Sequence, residues 1–381
     1  MRLTLHSRDE SGGGEMKAVR IFKHGDTSVL LFKEYPMPAP GAEDVLVRVL
    51  ATSVSRWDVT YRVGAWNNGP YKGRGNPGRR MFPLPMQLGR DAVGVVESTG
   101  PAVTRFRTGD RVVALPHPEN PWCTEAIRGL GNLSTEIDLP AHTTFGGNAQ
   151  FVALPEHYWL PLPDGVAPQS AAAAMWSYST SHRILVDRLG GRLNDTVVIA
   201  GASGGMGSAC VDLAVAMGVR VVALTRNSEK RGYLERRGAS VVFVVDPDDA
   251  ESVDLAVAEI RSMTHGRGAD GAIEFTGDRR LLRLCIDTIC LGGTIVPVGA
   301  DWTGTPIPLT DQDLTRLELN VRGVRGSRLD DQRIVLELLA REAITPEIFD
   351  VMPLGQAAQA HQILEAGEAT GRIVLDPWYG T

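Results

Sequence analysis

Residues 197–218 read VVIAGASGGMGSACVDLAVAMG, an apolar strand, a turn rich in glycine and a helix. Gly201, Gly204, Gly205 and Gly207 let the backbone turn tightly, so that a pyrophosphate can approach the amides at the start of the helix. Free N–H groups and the helix dipole favour an anion at that position. A glycine turn alone is weak evidence, but a strand before it, a helix after it and the following strand VRVVALT together predict a dinucleotide-binding unit.

The same pattern continues along the chain from about residue 165. Apolar strands alternate with helix-like segments at the spacing of βαβ units, which predicts an α/β fold with a doubly wound parallel sheet, because both faces of each strand need covering. The predicted strands are TVVIAG (196–201), VRVVALT (219–225), ASVVFVV (239–245), GAIEFTG (271–277) and GTIVPVG (293–299). The predicted helices are SACVDLAVAMG, EKRGYLERRG, AESVDLAVAEIRSMT and RRLLRLCIDTICLGG.

The flanking parts of the chain have short β-type runs separated by Gly and Pro, which is typical of an antiparallel or barrel-like domain. Examples are VLVRVLATSV (45–54), AVGVVESTG (92–100) and RVVALP (111–116). Residues 1–15, with SGGG near their end, are expected to be a flexible extension. We therefore expect a barrel-like domain over 16–165 and 328–381, and a dinucleotide-binding domain over 166–327.

Length, charge and cysteine content exclude several classes of protein. A chain of 381 residues exceeds the usual size of one hydrophobic core, so two domains are expected. Its net charge of −6 is mixed along the sequence, which argues against nucleic-acid or membrane binding. No apolar stretch approaches the roughly 20 residues of a spanning helix, and the first 15 residues lack the apolar region of a signal peptide, so a cytoplasmic location is expected. The four cysteines include no C-x-x-C pair and three lie in apolar segments read as core helices, so disulfides are not expected.

The end of the second predicted strand indicates which nicotinamide cofactor binds. NAD binders usually place an acid there, whereas NADP binders need positive charge or donors for the 2′-phosphate. After Thr225 come Arg226 and Ser228, with Lys230 nearby and no acid before Glu229, so NADPH is predicted. Arg226 would pair with the phosphate, assisted by Ser228 and Lys230. The alternative is that Arg226 and Lys230 are solvated residues at a helix start.

A barrel-like part, a nucleotide-binding part and a return segment ending in GRIVLD resemble the medium-chain dehydrogenase/reductase superfamily. The resemblance runs from about Met16 to Asp376 and rests on PAPGAEDVLVRV, TGDRV, AGASGGMG, GADGAIEFTG and LGGTIVPVG. It implies a GroES-like β-barrel catalytic domain beside a Rossmann domain, a small-molecule substrate and a homodimer. It also implies cofactor contacts from Thr180, Ala202, Ser203, Gly204, Gly205, Met206, Gly207, Thr225, Thr276, Val298 and Gly299.

Zinc-dependent alcohol dehydrogenases of that superfamily hold a catalytic zinc with a cysteine after the second strand, a Gly-His-Glu motif and a second cysteine beyond the linker. Aligned by motif, this chain presents Ser55, the pair Arg90 and Asp91, and Trp176. None of the three positions suits zinc, so no catalytic metal is expected.

The superfamily often carries a second, structural zinc held by four cysteines in a lobe. Here the lobe keeps its length but contains only Cys123, and an ion pair among Glu125, Arg128 and Glu136 could replace the metal. His117, Cys123, His142 and His157 are spaced irregularly, which favours surface or core roles over a separate metal cluster.

The missing ligands favour the zinc-free quinone oxidoreductase-like and enoyl reductase-like branches, which this chain resembles in RWDVTYRVG and in FGGNAQFV. In those branches hydride passes from NADPH to the β-carbon of an activated C=C, and the enolate oxygen needs hydrogen-bond donors rather than a Lewis acid. We therefore expect reduction of an enone, a quinone or an enoyl thioester. The alternatives are a zinc-free ketone or aldehyde reductase and a non-catalytic NADPH-binding protein.

Catalytic side chains are expected from the loop after the second strand, which presents Ser55, Asp58, Thr60 and Tyr61. Tyr61, or Thr60 if the register slips by one, would donate to the substrate carbonyl or deliver a proton. The alternative is that the ring of Tyr61 packs in the core. The candidates for a hydrophobic pocket wall are Trp57, Trp66 and Trp176.

The segment LGRDAVG (88–94) places two charges before an apolar run. Arginine always carries its charge and presents five donors, so a buried copy needs a carboxylate partner. We expect Arg90 to be a structural or electrostatic element of the site, paired with Asp58 or, alternatively, with Asp91.

Overall fold

The structure, a computed structural model, describes residues 12–65, 83–134 and 138–380. It divides into two compact units, the first containing the described residues up to Ser179 and from Ser327 onward, the second Thr180–Gly326. The division falls within the helix Pro168–Arg183. The second unit therefore begins at Thr180, later than the boundary at residue 166 predicted from the sequence.

The strands are numbered along the described chain. They are β1 Gly12–Ile21, β2 Leu31–Met37, β3 Asp44–Val54, β4 Met86–Gln87, β5 Val93–Thr99, β6 Arg111–Ala114, β7 Phe151–Pro155, β8 Trp159–Pro161, β9 Thr196–Ala200, β10 Arg220–Thr225, β11 Val241–Val244, β12 Ala269–Glu274, β13 Ile289–Pro297, β14 Asn320–Val321, β15 Ile348–Pro353 and β16 Arg372–Asp376.

The α-helices are numbered in the same way. They are α1 Arg56–Val63, α2 Thr124–Ile127, α3 Pro168–Arg183, α4 Gly205–Ala216, α5 Arg231–Arg236, α6 Ala250–Met263, α7 Arg279–Thr288, α8 Asp311–Thr315, α9 Leu329–Ala340 and α10 Ala357–Ala366, with a π-helical segment Ile184–Leu189 after α3. No helix in the described part of the chain is long and apolar enough to cross a membrane.

The second unit contains the predicted parallel sheet. Its described strands follow the order β11-β10-β9-β12-β13-β14, and every pair runs parallel. This is the 3-2-1-4-5-6 order of a Rossmann fold, in which ligands bind at the carboxyl ends of the strands where the order reverses. That position lies between β9 and β12, directly beside the glycine turn after β9. The fold class predicted from the sequence is confirmed.

The core of this unit forms because the strands are apolar on both faces. All five residues of β9 are buried, and Val198 packs with Val222 of β10, Ala272 of β12 and Leu284 of α7. Burying each such aliphatic side chain contributes ~1.5–3 kcal/mol. The sheet therefore holds the glycine turn in a fixed position.

The first unit is built mainly from antiparallel strands. Its larger sheet follows the order β15-β16-β3-β5-β6-β8, with β7 also paired to β3, and a smaller sheet follows the order β2-β1-β4. Strand β3 is central because it pairs with β5, β7 and β16. Its carboxyl end leads directly into α1, which carries the candidate catalytic residues.

Two local predictions are wrong. Residues Gly12–Glu15 do not form a flexible linker, because β1 includes them and pairs with β2, opposing Gly12 to Met37 and Glu15 to Pro36. The helix predicted through ICLGG ends at Thr288, and the following residues begin β13. Gly292 has φ +74°, which an α-helix does not accommodate. Cys290, which was predicted to lie in a helix, is therefore in a strand. The four cysteines are all free and buried: Cys123, Cys210, Cys285 and Cys290.

Candidate functional site

The glycine turn after β9 has the close backbone packing that anion-binding turns require. Gly201 has φ +75°, and a Cβ on Gly207 would lie 2.2 Å from the carbonyl oxygen of Gly201 and 2.7 Å from the Cα of Ala202. The turn and the first turn of α4 therefore touch backbone to backbone. Gly204 caps α4 without a side chain, so nothing on the N-cap residue competes with a ligand for the first helical amides.

The other turn residues predicted to contact the cofactor lie within the turn or at the start of α4. Ala202 is fully buried and its amide donates to the carbonyl of Leu224 at the end of β10, at 3.3 Å. Gly205 and Met206 begin α4, and the carbonyl of Met206 accepts from the hydroxyl of Ser181 at 3.3 Å. Ser203, at the centre of the turn, is buried.

Thr180 offers a hydroxyl for a ligand in the same unit. Its side chain is 4% exposed, and its Oγ1 atom makes no hydrogen bond with any described residue. A buried hydroxyl left in that state costs ~1–3 kcal/mol. A bound molecule that accepts from it would remove that cost.

The end of β10 presents the residues predicted to select the cofactor. Arg226 is exposed and forms no ion pair with a described residue, and Ser228 begins an exposed 3₁₀ turn that continues to Lys230. The Oγ1 atom of Thr225 accepts from the amide of Asn227 at 3.3 Å, which fixes the turn. Arg226 therefore projects a guanidinium whose position is set by a defined turn.

Arg226 also lines a cavity of about 390 Å³ within the second unit. The other lining residues are Thr276, Gly277, Asp278, Leu281, Ala300, Asp301, Trp302 and Thr303. Both acids are engaged, since Asp278 caps α7 and contacts Arg280, and Asp301 lies 3.6 Å from Arg279. Arg226 therefore lines this cavity as a cation, and no described acid forms an ion pair with it.

The loops after β12 and β13 form the opposite side of the turn. The buried carboxylate of Glu274 accepts from the amides of Thr276 and Gly277, and burial raises its pKa. The carbonyl of Glu274 accepts from the amides of Val298 and Gly299. A Cβ on Gly299 would lie 2.1 Å from the amide nitrogen of Gly277, so the two loops are in direct backbone contact.

In the first unit, Ser55 and Asp58 form the N-terminal cap of α1. Asp58 accepts from the Ser55 amide at 2.8 Å and from its hydroxyl at 2.6 Å, and its other oxygen accepts from the amide of Gly89 at 3.2 Å. Asp58 is 1% exposed. This reciprocal arrangement is a capping box, which fixes where α1 begins.

Asp91 belongs to a second buried network. One of its oxygens accepts from the hydroxyl of Ser53 at 2.6 Å and lies 3.1 Å from a guanidinium nitrogen of Arg372. Burial raises the pKa of Asp91, and the charge of Arg372 opposes that rise. The pair links β3, the segment after β4 and β16.

Arg90 contacts two of the candidate tryptophans. Its Cζ atom lies 3.9 Å from the ring centre of Trp176 and 5.9 Å from that of Trp57, and Nη2 donates to the carbonyl oxygen of Pro116 at 2.5 Å. The two indoles stack with their centres 6.3 Å apart at an angle of 29°. We call these three residues the Arg90 stack.

The predicted pair between Arg90 and Asp58 is wrong, and so is the alternative with Asp91. Within the described chain neither acid forms an ion pair or a hydrogen bond with Arg90, because the capping box takes Asp58 and Ser53 with Arg372 takes Asp91. The guanidinium is stabilised by the π face of Trp176, which attracts a cation by ~2 kcal/mol or more when water is excluded.

Two histidines extend the aromatic surface around the Arg90 stack. The ring centre of His117 lies 5.1 Å from that of Trp176, and the ring of His142 meets Trp57 edge to face at 5.3 Å. Within the described ranges no group of three or more His, Cys, Asp or Glu side chains is placed to hold a metal ion. In the lobe, Glu125 and Arg128 form no ion pair with a described residue, and Glu136 lies outside the described residues.

Tyr61 takes the second of its two predicted positions. Its side chain is fully buried, and its hydroxyl donates to the carbonyl oxygens of Pro83 at 2.8 Å and of His142 at 3.2 Å. Burial raises the pKa of the hydroxyl, which makes it a weaker acid. Thr60 does not replace it, because its hydroxyl donates to the carbonyl of Arg56 at 2.9 Å. The proton-donor roles of both residues are therefore corrected to structural ones, and Trp66 lies outside the described residues.

Replacing Tyr61 with phenylalanine should lower stability but leave the reaction unchanged. The carbonyls of Pro83 and His142 would lose a buried donor, so we expect the free energy of unfolding to fall by ~1–3 kcal/mol, measured by urea titration. The matched control is Tyr35→Phe, whose half-buried hydroxyl makes one bond of 3.4 Å and should matter less. A fall in kcat of ~100-fold, the effect of losing a general acid, would restore the catalytic role.

Comparison with known protein families agrees with both units. The model "Alcohol dehydrogenase GroES-like domain" matches residues 41–164, and the model "Zinc-binding dehydrogenase" matches residues 205–341. The chain belongs to the medium-chain dehydrogenase/reductase superfamily. The resemblance stated from the sequence, including the GroES-like and Rossmann folds, is confirmed.

Several members of the superfamily are similar over nearly the whole chain. Quinone oxidoreductase of Rattus norvegicus is 26% identical over 94% of this chain and 97% of its own length. The structure of an NAD-dependent alcohol dehydrogenase is 28% identical, with a TM-score of 0.81 over 95% of this chain and 99% of that one. A mycobacterial protein complexed with NADPH is 25% identical, with a TM-score of 0.76 over 95% and 100%. These likenesses support an oxidoreductase that uses a pyridine nucleotide and a small-molecule substrate.

The structure also places two buried residues near the candidate site that the sequence analysis did not select. His361 of α10 is fully buried near Asp58 and Arg62, and burial lowers its pKa to about 4 although the charge of Asp58 opposes this. Arg372, the partner of Asp91, lies in the closing strand GRIVLD. Neither contact could be predicted from a sequence motif, because each residue is far in sequence from the group it contacts. The capping box was detectable, because Ser55 and Asp58 have its spacing.

Proposed function

We propose that this protein is an NADPH-dependent, zinc-independent oxidoreductase that transfers hydride to an activated C=C of an enone, a quinone or an enoyl thioester. The observation that carries the proposal is the Arg90 stack. Two of the three positions that align with catalytic zinc ligands, Arg90 and Trp176, are in contact with each other. The third, Ser55, is occupied as the cap of α1.

The donor chemistry of these residues does not fit a zinc ion. Zinc sites in proteins use Cys, His and carboxylate ligands. An indole offers no ligand atom, and a guanidinium is a permanent cation that would repel the metal. Asp91 has a suitable carboxylate, but its bonds to Ser53 and Arg372 already engage it. We therefore derive no step through a metal.

The second unit contains residues that suit a dinucleotide. The uncapped start of α4 would take the pyrophosphate, the orphaned hydroxyl of Thr180 a ribose, and Arg226 the 2′-phosphate of NADPH, with Ser228 and Lys230 adjacent. Val298 and Gly299, held by Glu274, are proposed to face the carboxamide. When bound, NADPH supplies the hydride.

The first unit would supply the substrate site and stabilise developing charge. The Arg90 stack, with the indoles of Trp57 and Trp176 half-buried, offers an apolar wall with a fixed positive charge behind it. Ser55 and Asp58 fix the start of α1, and so the position of Trp57.

The test is one preparation examined in three ways. Metal analysis of the purified protein should find less than one zinc per chain, and NADPH oxidation should exceed NADH oxidation with enones, quinones or enoyl thioesters as acceptors. Sedimentation equilibrium should give the homodimer that the superfamily resemblance implies. One zinc per chain would overturn the mechanism, a preference for NADH would overturn the role of Arg226, and a monomer would overturn the dimer.

The two alternatives have distinct outcomes in the same experiment. Turnover confined to ketones and aldehydes would show a carbonyl reductase that uses protein donors in place of zinc. Stoichiometric NADPH binding with no turnover of any acceptor would show a non-catalytic binding protein. Either result would replace the proposed alkene reduction.

A further inference from the structure

The backbone that carries Arg90 is held rigidly. Gly89 has φ +91°, and a Cβ there would lie 2.3 Å from Oδ1 of Asn148 and 2.7 Å from Oγ1 of Thr52. The amide of Gly147 donates to the carbonyl of Gly89 at 2.6 Å, and that of Asn148 donates to the carbonyl of Leu88 at 2.8 Å. The residue before Arg90 is therefore clamped on several sides, so the side chain starts from a fixed point.

The guanidinium itself is equally well positioned. Arg90 is 3% exposed, its Cζ atom lies 3.9 Å from the ring centre of Trp176, and its Nη2 atom donates to the carbonyl oxygen of Pro116. Arginine does not deprotonate in proteins, so the Arg90 guanidinium stays charged at every working pH. Of the nearby acids, Asp58 is bonded to Ser55, and Asp91 is bonded to Ser53 and Arg372.

Aromatic side chains lie beside this charge. The stacked indoles of Trp57 and Trp176 are each half-buried, and the rings of His117 and His142 continue the surface. Flat conjugated molecules pack well on such surfaces through offset stacking. A planar conjugated carbonyl matches both features, since it can stack on the indoles while its oxygen points towards the guanidinium.

We propose that Arg90 is a catalytic residue that binds the carbonyl oxygen of a planar conjugated acceptor and stabilises the enolate formed on hydride transfer. This rests on the proposed function, because it assumes that the Arg90 stack is part of the substrate site. For an enone, hydride forms a new C–H bond at the β-carbon and the π electrons of the C=C shift to the α-carbon and oxygen. Arg90 stays protonated throughout. A proton from solvent then adds to the α-carbon and restores the C=O, and NADP⁺ is the oxidised product.

The kinetic test compares arginines that are equally buried. Arg90→Met should lower kcat with an aryl enone by on the order of 100- to 1000-fold, the effect of losing one oxyanion donor. Arg90→Lys keeps the charge but not the flat fork, so its kcat should lie between those of Arg90→Met and the wild type. The matched control is Arg20→Met, because Arg20 is 6% exposed and stacks on Tyr35 and Phe145 at 4.2 and 4.6 Å. Its kcat should stay within about twofold of the wild type, whatever its Tm, because it loses no oxyanion donor.

A binding test works without turnover and remains informative if Arg90→Met is unstable. 4-Nitrophenol, a flat molecule with one ionisable oxygen, is titrated into the wild type in the presence of NADP⁺. The wild type should bind it as the phenolate at a pH where the free molecule is mostly neutral, which the absorbance band of the phenolate reports. Trp176→Phe and Arg90→Lys should weaken this shift, and Arg20→Met should preserve it.

The outcomes separate this proposal from the one on which it rests. If the wild type shifts 4-nitrophenol through Arg90 but reduces no conjugated alkene, the anion site stands and the proposed alkene reduction fails. If the wild type reduces enones but neither the phenolate shift nor kcat depends on Arg90, the proposed function stands and the role of Arg90 is overturned.

Discussion

Replacing Gly207 with alanine is expected to weaken NADPH binding by on the order of 100-fold or more. The added Cβ would lie 2.2 Å from the carbonyl oxygen of Gly201 and 2.7 Å from the Cα of Ala202, and neither of these backbone atoms can rotate away. The turn and α4 would have to separate, which moves the amides proposed to face the pyrophosphate. Losing one or two charge-assisted hydrogen bonds, each contributing ~1.5–3 kcal/mol, gives a fall of this size.

The apoprotein should also lose stability, because forced overpacking of this kind costs ~1–3 kcal/mol. Isothermal calorimetry with NADPH and thermal unfolding of the apoprotein measure the two effects. The matched control is Gly204→Ala in the same turn, where the nearest atom to a new Cβ is the Gly201 carbonyl oxygen at 3.7 Å and φ is −80°. That variant should lose at most about 1 kcal/mol of stability, because alanine is a poorer N-cap than glycine, so a larger loss of affinity in it reports direct contact with the cofactor. Wild-type stability and affinity in Gly207→Ala would contradict the close-packing argument.

The Rossmann fold was predictable because its signals are local. The glycine turn, the apolar strands and their spacing lie within single βαβ units, and parallel pairing with helices on both faces follows from them. The prediction of the helix after Asp278 was wrong only at its end. There β13 begins with the β-branched Ile289, and Gly292 has a positive φ that a helix does not accommodate. Boundaries of this kind depend on tertiary pairing more than on local preference.

The first unit was less predictable because its contacts are distant in sequence. Residues Gly12–Glu15 read locally as a linker, yet β2 supplies hydrogen bonds that their composition does not reveal. Arg90 was singled out as a charged element of the site, but among the described contacts neither Asp58 nor Asp91 bonds to it. The contact with Trp176 spans 86 positions of sequence, and a buried arginine can be satisfied by an aromatic face and a carbonyl as well as by an acid.

The role of Tyr61 could not be predicted either, because it depends on residues distant in sequence. Its position after the second strand suggested either a donor or a core ring, and only the placement of Pro83 and His142 decides between them. Asp58 could have been assigned correctly, since its spacing from Ser55 is that of a capping box and such an acid is already engaged. Local capping patterns should therefore be read before a nearby acid is assigned to a charged partner.

Replacing Arg226 with glutamate is expected to reverse the preference between cofactors. The 2′-phosphate of NADPH carries most of two negative charges, and a charge-assisted bond to arginine contributes ~1.5–3 kcal/mol, or about 10- to 150-fold in affinity. Glutamate would repel that phosphate and could accept from the 2′-hydroxyl of NADH. We expect KM for NADPH to rise by on the order of 100-fold and KM for NADH to fall, with kcat nearly unchanged because Arg226 is proposed to contact only the adenosine end.

The control for this substitution is Arg220→Glu at the opposite end of β10, where Arg220 is also exposed. It makes the same change in net charge on the same strand, so it separates a local contact from the field of the whole protein. The phosphate contact should also weaken with added salt in the wild type and not in Arg226→Glu. If both variants weaken NADPH binding equally, the effect is long-range and Arg226 does not read the 2′-phosphate. If neither does, the selectivity lies elsewhere among the residues that line the cavity, of which Trp302 and Thr276 are the first to vary.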